Sequence, residues 1–77
     1  MHVGTCEIRL FAPINQNLKG KRRIAKSLSE QIRSRFNVSV SKIENNELWQ
    51  IATIGISTIS NKIIILNQTF DHIFSFI

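Results

Sequence analysis

Residues 2–36 read HVGTCEIRLF-APINQN-LKGKRRIAKSLSEQIRSRF, and the spacing of the apolar positions changes part-way along. Over the first ten of these residues Gly4, Cys6, Ile8 and Leu10 fall on one side, and Thr5, Glu7 and Arg9 on the other. Strict alternation is the mark of a strand with one buried face. From Leu18 the spacing becomes helical. Leu18, Ala25, Leu28, Ile32 and Phe36 share one stripe, with Ile24 at its edge, as an amphipathic helix requires. Between the two lies Ala12 to Asn17, which holds the only proline, Pro13, and two asparagines, and reads as a loop. Asn17 suits the N-cap position, and Asn37 suits the helix end in place of the commoner glycine.

Working outward from this strand–helix pair, Val38 and Val40 alternate with Ser39 and Ser41 and predict a second strand. Asn45 and Asn46 mark a turn. A third strand follows, with Ala52, Ile54 and Ile56 inward and Thr53, Gly55 and Ser57 outward. Ser60 or Asn61 is placed to cap a second helix, whose core stripe is expected to be Ile63, Leu66, Phe70, Ile73 and Ile77. Ile65 and Phe76 lie outside that stripe, so they join Trp49 as candidate partner contacts.

The order β-α-β-β-α defines an α+β domain: the split β-α-β unit that forms the front of a ferredoxin-like fold. The full arrangement has a fourth strand after the second helix, paired with the first strand. With the sequence ending at Ile77, that strand is expected to be missing or supplied by a partner, leaving the first strand's edge open.

Seventy-seven residues make one domain at most, 1–77, near the lower size limit for a self-sufficient core, and a hydrophobic content of 43% is that of a folded chain rather than a disordered one. A lone cysteine, Cys6, excludes an internal disulfide and suits a reducing compartment. No secretory signal is visible, and the longest apolar run, Ile63 to Leu66, is far too short to span a bilayer. The expectation is a soluble cytoplasmic protein without a membrane partner. Charge is concentrated in one segment. Lys19, Lys21, Arg22, Arg23, Lys26, Arg33 and Arg35 stand against one acid there, Glu30, whereas the rest of the chain carries three basic and four acidic residues. A field focused in this way selects polyanions as partners.

Four stretches carry a family resemblance: Asn17-Leu18-Lys19-Gly20-Lys21-Arg22-Arg23, Arg35-Phe36-Asn37-Val38-Ser39-Val40, Leu48-Trp49-Gln50 and Ser60-Asn61. In that order they resemble the YlxP-like family, a group of small bacterial proteins classed as a domain of unknown function. The likeness runs from His2 to Ile77 and implies a ferredoxin-like fold. It implies no settled activity; RNA- or ribosome-related roles are what the family suggests. Where the family usually has Ser-Leu-Lys-Glu-Lys-Arg, this chain has Asn17 for the serine and Gly20 for the glutamate, which makes the helix start more basic. Family members also normally continue into a last strand beyond the position of Ile77.

On a helix turning ~100° per residue, Lys19, Arg22, Arg23, Lys26 and Arg33 occupy one solvent-facing arc, while Lys21 and Arg35 flank the core stripe. Glu30 lies inside the arc, within pairing distance in sequence of Lys26 and Arg33. A solvated helix face would explain such a run. What it would not explain is four cations, Lys19, Lys21, Arg22 and Arg23, in the first turns, where the helix dipole disfavours each by ~0.3–1 kcal/mol. A phosphate bound near the helix start would relieve that repulsion. The nucleic-acid-binding set is therefore Lys19, Lys21, Arg22, Arg23, Lys26 and Arg33.

The outward strand positions hold no aromatic residue, so stacking of bases on the sheet, as in RRM domains, is not expected. That small, polar face could instead pack against a second copy. Cys6 reads as a core residue, Trp49 as a hairpin anchor or a partner contact, and His2 and His72 lack metal-ligand spacing with it. Glu44 and Glu47 flank a turn with no base beside them, so neither an enzyme activity nor a cofactor is expected. The leading expectation is a non-enzymatic RNA-binding or ribosome-associated module whose partner is RNA or another polyanion, with ribosomal RNA as one candidate. The alternative is a homodimerisation or protein-interaction module built on the open sheet face and edge.

Overall fold

The computed structural model describes residues 1–11, 18–43 and 51–77, and its elements follow the expected order: β1 (His2–Phe11), α1 (Leu18–Arg35), β2 (Ser39–Ile43), β3 (Ile51–Ser60) and α2 (Ile63–Phe76). The three strands form one antiparallel sheet in the order β1-β3-β2. β3 is thus inserted between two strands that α1 connects, which is the split β-α-β arrangement of a ferredoxin-like fold. The expectations for Pro13, Asn17, Asn45-Asn46, Glu44, Glu47 and Trp49 concern positions outside the described residues.

Register explains where the core forms. Ile8 stands opposite Ile54, Cys6 opposite Ile56, and Val40 opposite Ile56 on the far side, so the inward positions make a continuous apolar surface. Both helices lie on that surface: Ile32 of α1 and Ile73 of α2 join Ile8, Val40, Ile54 and Ile56 in one buried cluster. Each such side chain contributes on the order of 1.5–3 kcal/mol when removed from water. Among the described residues no helix lies over the other side of the sheet. Its rows are Glu7–Gly55–Ser41 and Arg9–Thr53–Ile43, and Thr53 is buried there by its cross-strand neighbours.

Four local expectations need correction. Asn37 does not close α1 in a left-handed conformation, since no described residue has a positive φ. The chain turns instead through a Val38 N–H to Phe36 carbonyl bond of 3.0 Å, and the Asn37 carbonyl accepts from the Thr58 hydroxyl at 3.1 Å. The N-cap of α2 is Lys62, with no side-chain cap; the Ser60 hydroxyl accepts from the Lys62 N–H at 3.1 Å, just ahead of the helix. Glu30 does not pair with Arg33, whose guanidinium donates to the Val40 carbonyl at 2.7 Å. The α2 stripe also differs. Ile63 and Ile77 are exposed, and Phe76, expected outside the stripe, is half-buried and packs on the core through Phe36.

Candidate nucleic-acid interface

The basic residues of α1 do not simply face solvent. Residues 22, 26, 29 and 33 recur at helical spacing along the flank of α1 that looks toward β2. The helix and the strand enclose an open groove of about 600 Å³ lined by Arg22, Arg23, Lys26, Ser29, Arg33, Val40, Ser41 and Lys42. Among the described residues no carboxylate lines it. Five cations, four from α1 and one from β2, therefore border one concavity, and their fields add there.

Arg22, Arg23, Lys26 and Arg33 are thus brought together as the sequence suggests. Lys19 and Lys21 belong to α1, but their side chains lie outside the described residues. Arg33 has a second duty: β2 is an edge strand, and the Arg33 side chain occupies the Val40 carbonyl on it. That bond pins the C-terminal half of α1 to the strand and closes off part of an edge that could otherwise accept another strand. α1 carries no acid in its first turn, while Arg33 and Arg35 in its last turn suit the dipole there.

Two lining residues are not among those the sequence singles out. Lys42 follows Val40 by two positions, so it shares the helix-side face of the sheet, and its strand partner is the buried Ile54. The alternation that places Val40 inward carries this signal. Ser29 is 4% exposed, and its hydroxyl is buried without a hydrogen-bond partner. Its position one turn along from Lys26 was legible, but its burial required knowing where β2 packs.

The candidate partner contacts separate. Ile65 is exposed on α2, while the Phe76 ring meets Phe36 edge-on at 6.0 Å and carries the Arg35 guanidinium 4.5 Å above it. Phe76 therefore ties the two helix ends together. Cys6 is half-buried on the core side of β1, and burial pushes its thiol pKa up, away from a reactive thiolate. Among the described residues no helix is long and apolar enough to cross a membrane.

The open sheet face offers a different surface. A shallow channel runs over Gly55, bounded by Thr5, Glu7, Ser39, Ser41, Ile43 and Ser57. Val3, Phe11, Ile43 and Ile59 leave apolar surface exposed around it.

A two-layer α+β domain with a split β-α-β core and a basic groove beside its first helix is the class of protein that these features define. More narrowly, the family model described as "Protein of unknown function (DUF503)" matches residues 3–77, and the chain belongs to that family. It is similar to the uncharacterized protein YlxP of Bacillus subtilis (strain 168), 30% identical over 61 residues. The aligned region covers 79% of this chain and 66% of that relative's length.

Proposed function

We propose that the protein is a non-enzymatic RNA-binding module that docks the groove between α1 and β2 on backbone phosphates, with ribosomal RNA as a candidate partner. One observation carries the reading: Arg22, Arg23, Lys26, Arg33 and Lys42 line the same groove, with no acid beside them among the described residues. Phosphate contacts position a protein on nucleic acid and supply most of its sequence-independent affinity through counterion release. The outward strand residues described here present Phe11 only at a strand end, so the affinity is expected to come from charge rather than base stacking.

Titration of a labelled single-stranded RNA of about 20 nucleotides, across a series of salt concentrations, tests this. With roughly four phosphates neutralised, the log–log slope should be about −3 to −4. The double variant Arg22→Glu, Arg23→Glu should lose RNA binding while keeping its circular dichroism spectrum, because both side chains are exposed. Undiminished affinity in that variant would reject the proposal.

A second reading concerns a different surface. The open sheet face suits a second copy of the chain: Glu7 and Arg9 project from it two residues apart on β1. Across a twofold axis each can meet the other's counterpart, a self-complementary pattern, with Val3, Phe11 and Ile59 as apolar surround. Sedimentation over a concentration series reads this directly; a protein that stays monomeric throughout excludes it.

A further inference from the structure

Hydroxyls within helices usually find a carbonyl one turn back, and this protein shows the habit. Thr69 donates to the Ile65 carbonyl at 2.9 Å, and Ser34 donates to the Gln31 carbonyl at 2.9 Å. Ser29 does neither. Its hydroxyl is buried, has no partner, and belongs to a residue that lines the basic groove. Alanine at this position would fill the same place between helix and sheet with no polar atom to satisfy. The unpartnered donor and the cations are independent features of residues that line the same groove.

From this we infer that the α1–β2 groove beside Ser29 is a discrete phosphate subsite, in which the Ser29 hydroxyl, turned toward the groove by rotation about χ1, donates to an anionic oxygen while Arg22, Lys26 and Lys42 neutralise its charge. Arg33 is not free for the same task, being held on the Val40 carbonyl, and it serves as the wall at one end. The inference rests on the proposed RNA reading and sharpens it: the groove holds one phosphate at a fixed place in addition to attracting polyanions generally. A hydroxyl donor and flexible ammonium groups suit the tetrahedral oxygens of a phosphate mono- or diester. Free phosphate and the phosphodiester of an RNA strand share that chemistry.

The test titrates inorganic phosphate, at constant ionic strength, into the 15N-labelled protein and into its Ser29→Ala and Lys42→Gln variants, following backbone amides by NMR. The wild-type protein should show saturable shifts confined to residues 26–33 and 40–42. Ser29→Ala should weaken phosphate binding about tenfold without lowering the melting temperature, and Lys42→Gln should weaken it with the fold intact. Shifts that never saturate and spread over every basic residue would overturn the subsite. So would a Ser29→Ala variant with unchanged phosphate affinity and a lower melting temperature, which would make the hydroxyl a structural group of the helix. The RNA titration keeps the two readings apart. If Ser29→Ala binds phosphate and RNA as the wild type does, the subsite fails and the RNA reading stands. If the wild type saturates with phosphate through Ser29 but ignores RNA, the subsite stands and the RNA reading fails.

Discussion

Gly4 and Gly55 both sit in strands with ordinary backbone conformations, and their surroundings set them apart. A Cβ on Gly4 would come within 2.7 Å of the Phe70 ring, which α2 holds against the inner face of β1. On Gly55 a Cβ would meet the Cδ1 of Ile43 at 2.8 Å, but that side chain is 41% exposed and can swing aside. Gly4→Ala should therefore destabilise by about 1–2 kcal/mol, as overpacked core positions do, whereas Gly55→Ala should be neutral or stabilise by roughly 0.5 kcal/mol through the unfolded chain. Urea melts of the two variants check the contrast, and equal losses would refute it. Ser29 shows the same dependence on surroundings. A buried hydroxyl without a partner costs about 1–3 kcal/mol, so its place in the groove wall is the residue-level fact most in need of a ligand.

The two helices differ in how clearly their sequences choose a face. In α1, charge on one side and Ala25, Leu28 and Ile32 on the other leave one way to pack, and the structure agrees with the spacing. In α2, isoleucine and phenylalanine occur nearly all round: Ile63, Ile64, Ile65 and Phe74 are all exposed while Leu66 and Ile73 are buried. Periodicity cannot choose among so many apolar positions, and the end of α1 makes the choice by offering Phe36 and Arg35 to Phe76. An edge-on aromatic pair adds ~0.5–1.5 kcal/mol beyond burial, and a solvent-accessible cation over a ring ~0.5–1 kcal/mol. Phe76→Ala should cost about 2 kcal/mol and speed hydrogen exchange in the last turn of both helices, with Arg35→Ala costing under about 1 kcal/mol. Faster exchange confined to α2 would show that the helix ends are not coupled.

For the domain entire, the layer structure keeps the two candidate surfaces apart. Helices cover one side of the sheet, so the basic groove opens beside α1 while Glu7 and Arg9 project from the opposite face. Occupancy of one should leave the other unchanged: Glu7→Lys should weaken self-association and spare RNA affinity, and Arg22→Glu with Arg23→Glu should do the reverse. A shift of both properties in either variant would show that the surfaces are linked. Much of this was legible in the order of residues. Alternation in β1 and the helical stripe of α1 fix which side chains face inward, because those periods are set by local backbone geometry. The concentration of positive charge between residues 19 and 35 could be counted directly. What no local period contains is which elements come to lie side by side. The packing of α1 against β2 is what adds Lys42 to the cations, buries the Ser29 hydroxyl and commits Arg33 to the Val40 carbonyl. A row of positive charges therefore follows from sequence, and a groove with a floor and a wall follows from contacts between residues distant along the chain.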